Sequence, residues 1–566
     1  MKTTKNIARL AVTAGLTAAL SFGGVMAPVT MAFAEGTRTA NGSVTIANVE
    51  GNHTEFDGYQ IFKADVATVE GKTVVSNITW ANGSVKAAVE GVIKNEEPTY
   101  KGKTAQDAAD WITSKVTGTN DAYCVGPDNI AYKIAAAVDD LTDKKTTSAG
   151  VASGLEHGYW LFVTDAGTIG DGEAGTSPIF TVVGSTPVNV NEKTGIPTVE
   201  KKIVSDADDK EHDAADSQIG QDVTYNLYGT VAENFDKYDT YFYEFSDQIS
   251  KGLTLQTGAK IYLYKNRSDA KGDLTRAKGT DITAYFKEET PAEAAEDGSK
   301  TTTWTCDNLK KVSDVTKDSY IVVSYKAQIN KDAVVAGTEG NENAVTLNYS
   351  NNPMTSERGE TKPDTVKDYT YGLKINKVDL GTEAALDGAE FTIQATGADD
   401  GASKSLYVQK DGSLGSDPWK FVTANGGVIK VTGLDAGTYT VTEVSAPSGY
   451  AKVDPFTFEI KPSMNADDPG AGLTELTGVL TTGQNDKVIA GLTDGDFGDN
   501  KLTLKSGSEK TDGIFNITVG DTKQVGLPLT GLNGVTFTWI AGGAVLCIGV
   551  AHLIRSRKQA EESEQE

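Results

Sequence analysis

Short segments with apolar residues at alternate positions recur through most of this chain, and they constrain its fold more than any other feature. Such segments occur at 222–231, 260–264 and 319–329, among other places. This alternation is typical of β-strands, and the 60 glycines, with abundant threonine and valine, fit many short strands joined by turns. Because about 500 residues are too many for one hydrophobic core, we expect a mainly β chain that forms three domains in tandem.

The N-terminal residues have the composition of a secretory signal. Lys2, Lys5 and Arg9 form a basic start, apolar and small residues run from 7 to 29, and Ala32-Phe33-Ala34 ends the segment. Small residues at alternate positions after an apolar run are typical of a signal-peptidase site. We therefore expect residues 1–34 to be a signal peptide that is removed before Glu35, which makes the mature chain a secreted protein.

The C-terminal segment 525–566 combines a pentapeptide with an apolar span and a basic tail. The apolar run 535–554 is about the length that crosses a bilayer as a helix. Arg555, Arg557 and Lys558 follow it, where the positive-inside rule places the cytoplasmic side. A transmembrane helix is therefore predicted here. The pentapeptide before it consists of Leu527, Pro528, Leu529, Thr530 and Gly531.

The first block of the mature chain, residues 35–194, mixes strands with helices. Strong apolar runs such as 159–163 and 179–183 predict strands. The segments 106–116 and 128–141 place their apolar residues on one side of a helix. We therefore expect a β domain to which two helices are added.

The second and third blocks are predicted to be β-sandwiches. Helix is scarce between 195 and 367, which favours two packed sheets. Residues 351–368 are polar, contain two prolines and indicate a linker. The third block, 368–524, is predicted to be all β.

Composition and motifs argue against several classes of function. The formal net charge of −26 favours solubility and repels nucleic acid. The sequence contains no H-E-x-x-H, G-x-S-x-G, P-loop or dinucleotide-binding motif, so neither enzymatic turnover nor a cofactor is expected. The acidic segment 494–500 is rich in oxygen ligands but lacks the terminal glutamate of a twelve-residue calcium loop, and no metal site is predicted.

The strands that open the second and third blocks each carry a lysine among apolar residues. In 197–203, Val199, Lys201 and Ile203 share one face, and the phase of 372–379 around Lys377 is less clear. Burial disfavours the charged form of lysine, and a neutral amine is a nucleophile. A nearby carboxyl group, raised in pKa by the same apolar setting, can be protonated and polarise the group under attack. A lysine, an acid and an Asn or Asp in one dry site can therefore form an amide bond without an enzyme.

Ordered motifs in the third block resemble a known family of domains. The strings K-V-D, L-D-G-A-E-F, Y-T-V-T-E and A-P-S-G-Y occur in that order at 377–379, 386–391, 439–443 and 446–450. They resemble the collagen-adhesin B-type immunoglobulin-like fold, found in the shaft subunits of sortase-assembled Gram-positive pili. The pentapeptide, apolar span and basic tail together resemble a cell-wall sorting signal. In that family a sortase cleaves between Thr and Gly, here Thr530 and Gly531, and the acyl group on Thr530 passes to an amine.

The resemblance implies an intramolecular isopeptide bond in the third block. The family places the lysine on the first strand and the acyl partner on the last, which corresponds to Lys377 and to Asp521 in the string Val-Gly-Asp-Thr-Lys at 519–523, with Glu443 as the assisting acid. Asp521 stands where Asn is usual, so water is lost instead of ammonia, and Asn516 and Asn500 remain as alternative partners.

In the second block the resemblance implies a bond between Lys201 and Asn343, with Asp247 as the acid and Lys202 as a competitor of Lys201. If each bond joins the first strand to the last, each domain is expected to be inextensible under load. No such set of residues is visible in the first block, where no bond is predicted.

Polymerisation requires a nucleophile on the next subunit. Shaft pilins carry a lysine in a V-Y-P-K-like motif at the end of the first domain, and the corresponding residue is Lys193 in the string Val-Asn-Glu-Lys at 190–193. The resemblance thus implies a major pilus subunit joined from Thr530 to Lys193 of the next copy. The implied partners are a sortase, identical subunits, accessory pilins, the peptidoglycan that anchors the pilus after transient membrane retention, and a host surface ligand.

Two other functions remain open on the sequence. One is a monomeric wall-anchored adhesin, in which Lys193 forms no link. The other is a secreted hydrolase with an unrecognised site, which the scattered histidines argue against: the mature chain has them at 53, 157 and 212 only.

Overall fold

The computed structural model describes residues 40–524, except for 50, 70–71, 116–126, 193, 336–338, 399–404, 469, 471, 483–487, 491–496, 499–500 and 503–513. Three β-rich domains follow one another in this part of the chain, so the predicted mainly β fold is confirmed. The expected signal peptide and sorting segment lie outside the described residues. Within those residues, no helix combines the length and the apolar character needed to cross a membrane.

The first domain contains two small sheets and three helices. One sheet has the order β5-β1-β8, and the other has the order β3-β2-β6-β7, with β4 paired to β2. All seven residues of β6 are buried, since this strand lies between β2 and β7. The elements are β1 Gly42–Ala47, β2 Phe56–Val69, β3 Lys72–Trp80, α1 Gly83–Glu96, α2 Ala105–Lys115, α3 Ile130–Val138, β4 Lys145–Thr146, β5 Val151–Leu155, β6 Gly158–Thr164, β7 Ile179–Val183 and β8 Val188–Asn191.

The expectation of two added helices is wrong, because α1 is a third. Its signal lies in Val85, Val89 and Ile93, which recur every four residues and are all buried. The side chain of Asn82 caps the helix by accepting a hydrogen bond of 2.9 Å from the backbone N–H of Val85. The cap and the buried stripe outweigh the two helix-weakening glycines of this segment, Gly83 and Gly91.

The second domain is a sandwich of two seven-stranded sheets. One has the order β10-β9-β12-β19-β15-β16, with β14 paired to β19. The other has the order β11-β22-β20-β13-β18-β17, with β21 paired to β20. The elements are β9 Val199–Val204, β10 Glu211–His212, β11 Ala214–Asp216, β12 Asp222–Thr230, β13 Tyr243–Ile249, β14 Leu253–Leu255, β15 Lys260–Tyr264, α4 Arg267–Lys271, β16 Thr280–Asp281, β17 Lys287–Glu289, β18 Lys300–Cys306, β19 Tyr320–Ile329, β20 Asn341–Ser350, β21 Arg358–Glu360 and β22 Asp364–Tyr369.

Part of the expected linker belongs to this sandwich. Strand β21 and all but the last residue of β22 lie within the polar segment 351–368, and both strands pair with β20. Val366 of β22 is buried in the core of this sandwich, and the strand is held between β20 and β11. The strand that carries Asn343 is therefore not the last strand of the domain.

The third domain is also a two-layered β structure. A five-stranded sheet has the order β28-β23-β36-β30, with β33 paired to β36, and faces a seven-stranded sheet of order β26-β25-β24-β29-β31-β32, with β27 paired to β24. The first strand, β23, runs parallel to the last, β36. The elements are β23 Tyr371–Asp379, β24 Glu390–Ala398, β25 Tyr407–Val408, β26 Leu414–Gly415, β27 Phe421–Val422, β28 Val428–Leu434, β29 Gly437–Ser445, β30 Tyr450–Ala451, β31 Phe456–Met464, β32 Leu473–Thr482, β33 Val488–Ala490, β34 Phe497–Gly498, β35 Lys501–Leu502 and β36 Ile514–Lys523.

The second and third domains contact each other through Gln218 and Ile219. The Gln218 side chain donates a hydrogen bond of 2.8 Å to the Gly433 carbonyl oxygen and accepts one of 3.1 Å from the Asp435 N–H. Gly433 has a φ of +86°, and a Cβ there would come 2.0 Å from Ile219 Cδ1, so only glycine fits.

Candidate functional site

Lys201 lies in the first strand of the second domain, and the alternation of that strand turns its side chain into the core. Lys201 and Ile203 are both 0 % exposed, whereas Lys202 between them is half-buried. Lys201 stands opposite Leu227 of β12, and its backbone N–H donates a hydrogen bond of 2.6 Å to Asp364 Oδ2. The position of the lysine is thus fixed by β12 and by the start of β22.

Asp247 and Asn343 approach Lys201 from the opposite sheet. Asp247 pairs with Val345 and Asn343 with Ile249, so the two side chains are diagonal neighbours on one face of β13 and β20. Lys201 Nζ contacts Asp247 Oδ1 and Asn343 Oδ1. Each of the three residues is at most 1 % exposed. A bond between Lys201 and Asn343 would join the two sheets of the sandwich.

Aromatic rings enclose the lysine of the second domain. Lys201 Nζ lies 5.8 Å from the ring centroid of Tyr225 and 5.7 Å from that of Tyr325, and these two rings stack on each other at 5.5 Å. Trp304 packs against Tyr325 at 5.3 Å. Burial lowers the pKa of Lys201 to about 8, although the nearby Asp247 carboxylate acts in the opposite direction. The site therefore increases the share of the neutral, nucleophilic amine at neutral pH.

Tyr325 is the residue of this site that the sequence did not reveal. Its hydroxyl donates a hydrogen bond of 2.6 Å to Asp247 Oδ2 and accepts one of 2.7 Å from Asn343 Nδ2. The sequence predicted the strand that contains Tyr325. The partners of its hydroxyl group lie in β13 and β20, so these hydrogen bonds depend on how the two sheets pack.

Lys202, the predicted competitor, points away from this site. Its Nζ lies 2.5 Å from Asp213 Oδ1 and 3.5 Å from Glu200 Oε1. The Asp213 partner helps to raise the pKa of Lys202, opposing the effect of burial. The amine of Lys202 is therefore held in its charged form and is a poor nucleophile.

Lys377 lies in the first strand of the third domain. Leu373, Ile375 and Lys377 are all 0 % exposed and alternate with half-buried residues, so the phase of this strand is continuous. The Lys377 N–H donates a hydrogen bond of 2.7 Å to the Gly427 carbonyl oxygen. Gly427 has a φ of +79°, and a Cβ there would come 2.4 Å from the Lys377 carbonyl oxygen, so glycine permits this close approach.

Asp521 and Glu443 reach Lys377 from two different sheets. Lys377 pairs with Val519 in the parallel strand β36, which places Asp521 two residues further on the same face. Lys377 Nζ contacts Asp521 Oδ1, and it lies 3.0 Å from Glu443 Oε1 of the facing sheet. All three side chains are 0 % exposed. A bond from Lys377 to Asp521 would join neighbouring strands of one sheet, unlike the bond across the sandwich in the second domain.

The electrostatics of this second site favour a protonated acid. Burial raises the pKa of Glu443, although the Val453 N–H donates a hydrogen bond of 2.9 Å to Glu443 Oε2 and the Lys377 amine lies close by. Phe391 closes the site, with its ring centroid 5.4 Å from Lys377 Nζ. Among the described residues, Asp521 Oδ2 has no hydrogen-bond partner. The raised pKa favours the neutral form of Glu443, which can then serve as the acid of this site.

The structure describes only one of the two alternative acyl partners of Lys377. Asn516 pairs in register with Lys374, and the alternation of β36 places it on the face opposite to Asp521. Asn500 lies outside the described residues.

The residues proposed for polymerisation also lie outside the described part of the chain. They are Lys193, Leu527, Pro528, Leu529, Thr530 and Gly531. The structure does describe Glu192, the residue that precedes Lys193. Glu192 is 2 % exposed and accepts hydrogen bonds from the side chains of Asn52, at 2.5 Å, and Thr54, at 3.1 Å. Burial raises the pKa of Glu192 to about 7.

Lysines of the first domain have a different environment. Lys144 Nζ lies 2.5 Å from Asp57 Oδ2, but 40 % of the lysine side chain is exposed. The hydrogen bond to Asp57 raises the pKa of Lys144, which favours the ammonium form. Within the described residues, His, Cys, Asp and Glu form no group of three or more that could hold a metal ion.

Family models identify two of the three domains. Residues 219–353 match the model of the Gram-positive pilin backbone subunit 2, Cna-B-like domain, which contains Asp247 and Asn343. Residues 371–468 match the model of the SpaA prealbumin-like fold domain, which contains Lys377 and Glu443. The resemblance of these domains is thereby confirmed, and the chain carries domains of Gram-positive pilin backbone subunits.

The chain is also similar to solved structures of proteins that are described as pilins. The T6 backbone pilin of serotype M6 Streptococcus pyogenes is 15% identical, with a TM-score of 0.48 over 85% of this chain and 98% of that one. The major pilin SpaD of Corynebacterium diphtheriae is 18% identical, with a TM-score of 0.43 over 86% and 98%. The major pilin SpaA of the same organism is 14% identical, with a TM-score of 0.43 over 85% and 100%. No curated protein matches the sequence significantly.

Proposed function

We propose that this chain is the repeating shaft subunit of a covalently polymerised, sortase-assembled cell-surface pilus. One observation carries the proposal. Two consecutive β domains each bury a lysine against an acid and an acyl side chain, in Lys201–Asp247–Asn343 and in Lys377–Glu443–Asp521. Burying a lone lysine is unfavourable, and two such sites in tandem serve a chain that must carry tension.

Each site supports one self-cross-linking reaction. In the second domain, the neutral Lys201 amine attacks Asn343 Cγ, and ammonia leaves. In the third, the Lys377 amine attacks Asp521 Cγ, while Glu443 donates the proton that lets an oxygen leave as water. Neither acid is consumed. The chain is therefore a substrate of its own single-turnover chemistry and of a sortase, but it is not an enzyme.

The load path explains why only the second and third domains need these bonds. If sortase joins Thr530 of one subunit to Lys193 of the next, tension enters and leaves each subunit at those two residues. Residues 40–192 lie on the N-terminal side of Lys193, outside the stretched part of the chain. A covalent bond in the first domain would add nothing to the strength of the shaft.

The proposed setting is the bacterial surface. The signal peptide 1–34 directs secretion, and the sorting segment 525–566 retains the chain in the membrane until sortase cleaves after Thr530. The proposed partners are identical subunits, accessory pilins, the peptidoglycan to which the finished pilus is attached, and a host surface ligand that supports adhesion.

Replacing Lys193 with alanine tests polymerisation. We expect the wild-type chain, extracted from the wall of its host, to give a ladder of high mass on denaturing gels. Lys193→Ala removes the acceptor amine and is expected to reduce the ladder to the monomer. Lys210→Ala is the matched control, because Lys210 is 70 % exposed and should leave the ladder unchanged. A wild-type chain without a ladder would favour the monomeric adhesin, and a ladder in Lys193→Ala would assign the link to another lysine.

A further inference from the structure

The buried hydroxyl of Tyr325 connects the acid of the second domain to the nitrogen that must leave. Asp247 uses both of its oxygens: Oδ1 contacts Lys201 Nζ, and Oδ2 accepts the Tyr325 hydroxyl hydrogen at 2.6 Å. On its other side, the Tyr325 oxygen lies 2.7 Å from Asn343 Nδ2. A continuous hydrogen-bonded path thus runs from the nucleophile, through Asp247 and Tyr325, to the leaving group.

We propose that Tyr325 is a catalytic residue of bond formation, which relays a proton from Asp247 to the departing nitrogen of Asn343. This inference rests on the proposed self-cross-linking of the second domain. Expulsion of an amide nitrogen requires its protonation, because the unprotonated amide anion is a very poor leaving group. Tyr325 is 3 % exposed, so bulk water does not supply that proton readily.

The protons and electron pairs balance along this path. Asp247 Oδ1 first takes a proton from the Lys201 ammonium, and the Nζ lone pair then attacks Asn343 Cγ while the carbonyl electron pair moves to Oδ1 of Asn343. The protonated Asp247 carboxyl then rotates so that its hydrogen faces Tyr325, and it gives this proton to the Tyr325 oxygen as the Tyr325 hydroxyl hydrogen turns from Asp247 and passes to the lone pair of Nδ2. The tetrahedral centre collapses, the Cγ–Nδ2 bond breaks, and ammonia leaves. Asp247 finally takes the extra proton from Nζ, which leaves a neutral amide.

The environment of Tyr325 suits a relay that stays neutral between steps. Burial raises the pKa of Tyr325 well above its usual value, so the phenol keeps its proton at rest. Its ring is fixed by stacking on Tyr225 at 5.5 Å and by contact with Trp304 at 5.3 Å. The hydroxyl is therefore held at hydrogen-bond distance from both Asp247 and Asn343.

The third domain shows a different arrangement around a different leaving group. Glu443 Oε1 faces Lys377, but Glu443 Oε2 accepts a hydrogen bond from the Val453 N–H and does not lead to Asp521. The atom to be expelled there is an oxygen, which leaves as water. The tyrosine relay accompanies the amide leaving group and is absent, among the described residues, from the site whose acyl partner is an acid.

The test follows bond formation in the full chain after pulse labelling in its host. Proteolysis and mass spectrometry at successive times measure the fraction of peptide in which Lys201 is joined to Asn343. General acid–base groups contribute about 10²- to 10⁴-fold, so Tyr325→Phe is expected to slow this bond by about that factor. The Lys377–Asp521 bond of the same molecules reports that the neighbouring domain has folded.

Tyr243→Phe is the matched control for the loss of a buried phenol. Tyr243 is 0 % exposed in the same domain, but its hydroxyl donates a hydrogen bond of 2.9 Å to the Thr230 carbonyl oxygen and takes no part in the path from Lys201 to Asn343. We expect wild-type kinetics in this variant. Site-specific 3-fluorotyrosine at position 325 keeps the shape of the side chain but makes its hydroxyl more acidic, so it is expected to change the rate several-fold without unfolding the domain.

Wild-type kinetics in both Tyr325→Phe and the fluorotyrosine protein would overturn the relay. Equal slowing by Tyr243→Phe and Tyr325→Phe, with no response to fluorination, would also overturn it, because packing would then explain the effect. Failure of the proposed function is distinguishable, since the wild-type chain itself would then yield no Lys201–Asn343 peptide.

Discussion

Lys377→Met is expected to lower the melting temperature of the third domain by on the order of 10–20 °C. The residues that the bond joins are 144 positions apart, and a covalent closure of that size stabilises by about 5 kcal/mol through the chain entropy of the unfolded state. For a domain of this size, each kcal/mol shifts the melting temperature by about 2–4 °C. Methionine preserves the length of the side chain but cannot form the amide, so the packing contribution is small. Calorimetry of wild type and variant measures the shift.

Lys374→Met is the control for that measurement. Lys374 lies on the same strand, but it is half-buried on the opposite face from Lys377. Its replacement is expected to change the stability by about 0.5 kcal/mol or less, as is usual for a surface position. If the Lys377→Met variant had the same melting temperature as the wild-type protein, a covalent closure would contribute no stability to the third domain.

Stretching a cross-linked subunit between Lys193 and Thr530 is expected to lengthen it only through segments that the bonds do not bypass. The bond from Lys201 to Asn343 bypasses residues 202–342, and the bond from Lys377 to Asp521 bypasses 378–520. Residues 344–376 lie between the two bonds and stay in the load path. They include β21, β22 and most of β20. The second domain can therefore lengthen through this segment, contrary to the expectation from the sequence that it is inextensible.

The pairing of β20 with β22 determines how this segment yields. Asn343 stands directly opposite Val366, so tension on Asn343 and on the end of β22 pulls at the open end of the pair and separates residues one after another. About 33 residues released in this way span about 110 Å when fully extended. Opening a domain without its bond would release about 140 residues, or about 480 Å.

Single-molecule force spectroscopy distinguishes these lengths. The cross-linked protein is expected to gain at most about 160 Å before the backbone breaks, because residues 194–200 and 522–529 are also outside the bonds and add to the roughly 33 residues between them. The variant with both Lys201→Ala and Lys377→Ala serves as the control and should show two events of about 480 Å. Events of the longer kind in protein whose two bonds have been verified by mass would contradict the load path.

Local alternation was enough to predict which way Lys201 points, whereas the phase of the strand around Lys377 was unclear from the sequence. Val199, Lys201 and Ile203 repeat with period two, and the structure places Lys201 in the core as that period requires. Asp521 was identified from its place in the family's closing motif, and the structure places it two residues beyond the partner of Lys377. These inferences needed only the geometry of a strand and the order of motifs along the chain.

Features that depend on tertiary packing were not predictable in this way. Strand β22 is polar at Asp364, Thr365 and Lys367, and only its pairing with β20 and β11 makes it a strand. The contacts of the Tyr325 hydroxyl join residues 78 and 18 positions apart, so they depend on how two sheets face each other. Helix α1 was missed for a different reason. Its glycines lower the helix propensity of the segment, and the helix is stabilised instead by burial of Val85, Val89 and Ile93.

The intact mass of the fragment 35–524 tests the central claim most directly. Condensation at Lys201–Asn343 releases one ammonia, and condensation at Lys377–Asp521 releases one water, so the measured mass should fall below the sequence mass by the sum of those two molecules. Tandem mass spectrometry should then recover both branched peptides. Two ammonia losses would assign an asparagine in place of Asp521. A mass equal to that of the linear sequence would contradict the account.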